Sequence, residues 1–292
     1  MTNAAAQKLG REHVLFALSV GGVVWLVMQY LIARQAGMFP IPAGDTLLWD
    51  RTGDALRAGQ AVYFIPATAD PFFYAPPIAV IFAALSWMSP VVVNVLTTLV
   101  AIAALRLIAG SWRGTGIACG FPLVVFAVVD GNFNLLIAAG IVLAVRGDPR
   151  LAAIGAMLKL SPGLVIRDWK RVVPIVLAGV VITIPWLYLW PAWASQLVGA
   201  FGVPYGPQIP VPFVVRFAVA LPLLAGRPWM RALGAALAIP ALYWGSLVVL
   251  IAPLAVWFRE LGDRRGQRER TVSQTDPVLV DRPSPRHIGS PS

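Results

Sequence analysis

The sequence predicts an all-α, polytopic bundle of transmembrane helices, and three observations carry that prediction. Of the 292 residues 58% are hydrophobic and only 12% charged, whereas a soluble domain carries about 25% charged residues. The apolar residues fall in blocks of roughly the length that crosses a bilayer as helix. The blocks show no alternation at period two, which leaves helices as the structure that satisfies its own backbone in lipid. Counting blocks gives about eight to ten spans within residues 1–260, followed by a disordered tail over 261–292.

The first block, 14–33, is about twenty residues long, too long for a signal-peptide core, and reads as a retained span. A polar first loop covers 35–76, and within it 45–58 reads as a short surface helix. Leu48, Thr52, Ala55 and Leu56 recur there at helical spacing, with Asp50, Arg51, Asp54 and Arg57 on the other faces. Asp45 stands at the N-cap position and Gly59 is the stop signal. Further blocks cover 77–90, 91–107, 117–129, 133–145, 151–166 and 172–190. A second loop, 191–212, holds Trp193, Phe201 and Tyr205 among prolines and glycines. The block 213–224 contains Arg216, and the last runs to Phe258 with Pro240 inside it. That proline makes it one long kinked helix or two short ones.

The net charge is +10, but the basic residues sit at block ends. The positive-inside rule and anionic headgroups account for them there, and nucleic acid is not a predicted partner. With the last block as two helices, twelve Lys and Arg fall on one side and seven on the other, the latter including Arg106, Arg113, Arg146 and Arg150. This bias places the N-terminus in the cytoplasm of a multi-pass plasma- or inner-membrane protein, with both aromatic loops and the short helix outside. One cysteine, Cys119, and two histidines, His13 and His287, rule out a disulfide framework and predict no Cys or His metal site. No Asp-x-Asp pair is present to hold a nucleotide-bound metal, so no cofactor is predicted.

Asp45 is either a helix cap or a catalytic carboxylate. Asp130, Lys159 and Arg216 lie in or beside apolar blocks, where a charge costs about 2.5–3.5 kcal/mol and normally faces a cavity or a partner. Arg216 fits two roles, a forked clamp on a phosphate or one half of an internal ion pair. Lys159 either reaches the interface or contacts phosphate. Asp130 reads as a helix-end cap.

Asp45, the helix ending Ala55-Leu-Arg-Ala-Gly59, Tyr63 and Phe72-Phe-Tyr-Ala-Pro-Pro77 form one pattern. Gly131-Asn-Phe-Asn134 and, about twenty-five residues later, Lys159-Leu-Ser-Pro162 form another. Together they resemble glycosyltransferase family 87, the polyprenol-phosphate-mannose-dependent mannosyltransferases of the GT-C membrane superfamily. Asn132 stands where that family usually has Gln. The resemblance implies a GT-C-type bundle that moves a sugar, with inversion, from a polyprenyl-phosphate donor to a hydroxyl of a glycolipid or glycan on the outer face. It implies an aspartate general base, at the position of Asp45. The leaving phosphate then needs cationic donors, which gives Lys159 and Arg216 the phosphate-binding role. Arg216 is assigned from its place in an apolar block and is not part of the matched motifs. Tyr74, Asn132 and Asn134 then contact the acceptor or order the loop. Two other classes fit the same residues: a transporter or flippase of lipid-linked or anionic solutes, and an inactive accessory subunit of a membrane synthase.

Overall fold

The computed structural model describes residues 44–63, 72–200, 211–240, 242 and 244–275. The expected first span at 14–33, Phe201, Tyr205 and the tail beyond 275 lie outside them. The described residues form helices and turns, with no strand among them. In chain order the helices are α1 (Gly44–Arg57), α2 (Pro76–Leu85), α3 (Pro90–Ala109), α4 (Trp112–Ala118), α5 (Pro122–Val129) and α6 (Asn134–Val145). They continue with α7 (Arg150–Leu158), α8 (Val173–Ile182), α9 (Leu189–Ala200), α10 (Phe213–Leu224), α11 (Pro228–Leu237) and α12 (Ile251–Thr275). Tighter 3₁₀ turns cover Ser161–Val165, Trp169–Arg171, Ile184–Trp186 and Trp244–Leu250.

Proline sets many of the starts. It occupies the first turn of α2, α3, α5, α8 and α11, where its missing N–H would have had no helical partner. Ser89 and Ser111 add side-chain caps, accepting from the amides of Val92 at 3.4 Å and Gly114 at 3.0 Å.

The apolar blocks become helices that are shorter than their sequence runs. Two stretches of twenty residues, Pro90–Ala109 and Gly245–Arg264, are long and apolar enough to cross a membrane, and the α4–α5 pair, bent by 105°, makes a third if counted as one. The eight to ten spans counted from the sequence therefore reduce to two or three by length among the described residues. Helices of ten to twelve residues such as α2, α6 and α10 rise about 15–18 Å, against about 30 Å of hydrocarbon. The breaks have identifiable causes. Block 172–190 divides at Thr183 before Pro185, and the last block divides between α11 and the Trp244–Leu250 turn, at Pro240. The sequence also assigned residues from 261 onward to a disordered tail, whereas α12 continues to Thr275.

Block 151–166 is the most consequential difference. It is not one continuous helix: α7 stops at Leu158, Lys159 turns extended, and Pro162 opens the tight turn that a proline permits. The chain then returns alongside α7, so that Ile166 packs with Ala152 and Ala153. Gly155 of α7 lets this hairpin close, since a Cβ there would stand 3.3 Å from the Pro162 ring. Gly140 of α6 lets α6 approach α7, where a Cβ would stand 2.9 Å from the Leu151 carbonyl oxygen. The return brings Arg167 and Asp168 to the cavity lined by Arg146, Gly147 and Pro149, two turns that the sequence count placed on opposite sides.

Other contacts gather at the same end. Arg259 donates to the Ile108 carbonyl at 2.6 Å, the Glu260 carboxylate accepts from the Trp229 amide at 3.3 Å, and Arg231 lines the cavity of Arg146 and Arg167. The end of α3, the end of α6, the start of α11 and the middle of α12 thus meet in one basic region. At the other end of α6 lies an aromatic region.

Helix α1 belongs to that region as a packed element, not a helix lying on a polar loop. Trp49 is fully buried and its ring stacks on Phe82 at 4.9 Å and Phe133 at 4.6 Å. Thr52 and Leu56 are buried beside it, as their spacing predicts, while Arg51, Asp54 and Arg57 are exposed. Elsewhere the outer surface is apolar. Val91, Val95 and Leu99 of α3, Leu177 and Val181 of α8, and Val214 and Val219 of α10 are exposed, the pattern of a lipid-facing belt rather than a watered surface.

The hairpin makes a topological prediction. In a Cys119→Ser background, Asp148→Cys and Lys170→Cys are labelled by an impermeant maleimide from the same side of sealed membranes. Labelling from opposite sides would restore a full crossing at 151–166.

Candidate functional site

The site is built around the start of α6. Helix α5 ends at Val129, and Gly131 takes φ +62°, a left-handed turn that glycine adopts without strain. A side chain at Gly131 would also run into Thr97. The Asn132 side-chain oxygen accepts from the Asn134 amide at 2.8 Å, a local turn bond of the kind asparagine favours. Asn132 therefore orders the turn. Asn134 is 4% exposed, and its side-chain oxygen has no hydrogen-bond partner among the described residues.

Between these two, Phe133 anchors an aromatic wall. Its ring meets Trp49, lies 6.0 Å from Phe82 and stands edge-on to Tyr74 at 6.3 Å. Tyr74 in turn meets Phe72 edge-on at 5.2 Å. The Tyr74 carbonyl accepts from the Tyr63 hydroxyl at 2.8 Å, and burial pushes the Tyr63 phenol far above its ordinary pKa, so it remains a neutral donor. Trp193, which the sequence placed in the second loop 191–212, lies instead in α9, since the helix of Leu189–Ala200 takes up the first half of that loop. It donates its indole N–H to the Phe73 carbonyl at 2.9 Å. This ties α9 to the segment that carries the wall.

The end of α7 joins the same wall. The Ala75 amide donates to the Met157 carbonyl at 2.8 Å, and two residues later the Lys159 ammonium donates to the Ser246 hydroxyl at 2.8 Å. The Ser161 hydroxyl is buried with no partner among the described residues. The segment of Tyr74 thus lies beside the end of α7 and, through Phe133, beside the turn of Asn132 and Asn134, while the Lys159 ammonium is turned to Ser246. Asp45 lies in the first turn of α1 rather than at its cap, and its side chain lies outside the described residues. Its backbone stands one helical turn before Trp49 and on the same side of the helix.

The other carboxylates of α1 are not equivalent. Asp54 pairs with Arg57 at 2.9 Å on the exposed face. Asp50 is half-buried, and burial, with Asp54 as a second cause, raises its pKa while Arg57 lowers it. Helical spacing set both on the faces away from the stripe and did not separate them.

Arg216 is placed differently from either expected role. It is 7% exposed, in the first turn of α10, and its guanidinium faces the broken end of α11. Nε donates to Val211 at 3.1 Å, one terminal nitrogen to Leu237 at 2.9 Å and Ile239 at 2.6 Å, and the other to Pro240 at 2.9 Å, all backbone carbonyls. Four of its five N–H groups are engaged. The internal partners are therefore carbonyls, not an aspartate, and one donor is left for anything else. Pro240 was the available signal: a helix broken in an apolar body needs a donor for its last carbonyls, and Arg216 is the nearby apolar-flanked cation. Nothing in the sequence pointed to Ser246. Among the described residues no group of three His, Cys, Asp or Glu is placed to hold a metal.

Comparison of the chain with protein families, with curated proteins and with solved structures gives no match. The class that fold and site define is an all-helical apolar bundle with helices able to cross a membrane and an aromatic, lysine-bearing junction at one end.

The Arg216 geometry is checked by stability. Arg216→Met leaves four carbonyls without their donors, that of Ile239 in a buried bond and the others in part-buried ones. It lowers unfolding stability in detergent by about 3 kcal/mol, while Arg216→Lys, with three donors from one point, recovers part of it. An Arg216→Met protein as stable as the parent would remove the structural role.

Proposed function

We propose that the protein is a membrane glycosyltransferase, an inverting mannosyltransferase that uses a polyprenyl-phosphate-linked sugar. The observation that carries this reading is the junction itself: the Ala75 amide, next to Tyr74 of the aromatic wall, bonds the Met157 carbonyl, two residues before Lys159, whose ammonium is oriented by Ser246. Trp49, one turn from Asp45, packs against that wall. Aromatic faces suit a sugar, an ammonium suits the phosphate that leaves, and a carboxylate suits the hydroxyl that attacks.

In the reaction the acceptor hydroxyl, on a glycolipid or glycan, loses its proton to Asp45 as its oxygen attacks the anomeric carbon. The bond from that carbon to the phosphate oxygen breaks on the opposite face, and the electron pair leaves with polyprenyl phosphate. Lys159 stabilises the charge that develops on that oxygen. A monophosphate carries less charge than a nucleotide diphosphate, so an ammonium serves where a diphosphate would need more. Arg216 acts at a distance, by holding the α10–α11 end, and Asn132 and Asn134 order the turn below the wall.

The gathering of Arg146, Arg167, Arg231 and Arg259 at one end fits a cytoplasmic end. The aromatic junction then faces the outer leaflet, where a lipid-linked donor presents its sugar. This keeps the expected side for the reaction while moving Arg106, Arg146 and Arg150 across the membrane relative to the sequence count.

One observation favours the transporter reading: the chain is broken between α11 and the Trp244–Leu250 turn, beside buried Arg216, and broken helices line transport sites. Vesicles loaded with a labelled polyprenyl-phosphate sugar separate the two. A transferase consumes the sugar–phosphate bond; a flippase moves the intact donor.

Asp45→Asn lowers transfer by about a hundredfold or more without lowering protein level, and Lys159→Met lowers it by at least about tenfold. Full transfer by Asp45→Asn would remove Asp45 as the base, and loss in Asp50→Asn instead would move that role one turn along α1.

A further inference from the structure

The basic end of the bundle holds a cavity that the proposed reaction does not use. It has a volume of about 300 Å³ and is lined by Arg146, Gly147, Pro149, Arg167, Asp168 and Arg231, the lower end of the size range of ligand pockets. Three guanidinium-bearing residues meet one carboxylate there. That carboxylate, on Asp168, is already paired with Arg171 at 3.0 Å.

Arg231 is the informative member. It is 9% exposed, yet its Nε has no hydrogen-bond partner among the described residues. A buried guanidinium with an unmet donor is costly and normally has a ligand or an acceptor. The charges that face it are mixed: Arg167 repels it and Glu260 attracts it. Glu260 is shared, accepting from the Trp229 amide at 3.3 Å and lying 3.7 Å from Arg264. Asp148, beside the cavity, lies 3.8 Å from Arg150. The nearby carboxylates thus have other cations or donors, and the cavity keeps a net positive charge.

We propose that this cavity binds a phosphate group, with Arg231 as the buried anchor and Arg146 and Arg167 as the outer donors. Guanidinium forks match phosphate oxygens two at a time. Basic pockets between helices at a membrane's cytoplasmic face take anionic lipid headgroups by this chemistry. The phosphate can belong to a phosphodiester headgroup or be free in solution, and the site's chemistry is the same for both.

The test uses the full chain in a neutral detergent, with binding measured by thermal shift and native mass spectrometry. The probes are phosphatidylglycerol, phosphatidylcholine and inorganic phosphate. Phosphatidylglycerol binding by the parent, weakened about tenfold in Arg231→Met and in Arg167→Gln but unchanged in Lys170→Gln, supports a headgroup site. The same pattern with inorganic phosphate as well supports a site for the phosphate group from either source. Arg167 is exposed, so Arg167→Gln keeps the test valid if Arg231→Met fails to fold. Equal binding by parent and Arg167→Gln, or no preference for phosphatidylglycerol over phosphatidylcholine together with no phosphate binding, would overturn the proposal.

Discussion

A helix that ends inside an apolar body leaves carbonyls that no water can reach, and the rest of this structure follows from how those ends are met. At the end of α11 the solution is Arg216, whose guanidinium spans Leu237, Ile239 and Pro240 from the neighbouring helix. At the end of α3 it is Arg259, bonded to the Ile108 carbonyl from α12. Hydrogen bonds from a charged donor contribute about 1.5–3 kcal/mol each, enough to offset the burial of one cation. These contacts also pin helices that are distant in sequence, so the short segments form a defined bundle instead of sliding in lipid.

The consequence is a molecule with two chemically distinct ends, separated by the length of α6. At its start the chain collects rings from α1, α2 and the 72–75 segment around Phe133, with Trp193 of α9 bonded to that segment. At its end it collects Arg146, Arg167 and Arg231. The return of the chain after Pro162 creates this polarity. Had 151–166 crossed, Arg146 and Arg167 would lie apart and no basic cavity would exist.

Much of the helical character was legible in the sequence, because composition and block length report on solvent rather than on contacts. The buried stripe of α1 was legible at Thr52 and Leu56 through helical spacing, and the turn role of Asn132 through its neighbours. The number of spans was not. Apolar block length counts residues, and it is blind to a break whose carbonyls are satisfied from another helix. Arg216 illustrates the same limit: a lone cation in an apolar run signals a polar partner, but whether that partner is a phosphate, a carboxylate or a backbone depends on a contact more than twenty residues away. Trp49 shares the stripe of Thr52 and Leu56, at i, i+3 and i+7, so helical spacing marks it as well, while its ring partners Phe82 and Phe133 lie outside α1 and were not legible.

The buried cation Arg216 is occupied by structure, which concentrates the proposed chemistry on the aromatic end. Its central claim is that this single chain breaks a sugar–phosphate bond with inversion. The direct measurement is product analysis of the purified full chain given a β-linked polyprenyl-phosphate mannose and a hydroxyl acceptor. The account predicts free polyprenyl phosphate together with an α-linked product. Retention of the β-linkage, or an unaltered donor after prolonged incubation, would contradict it.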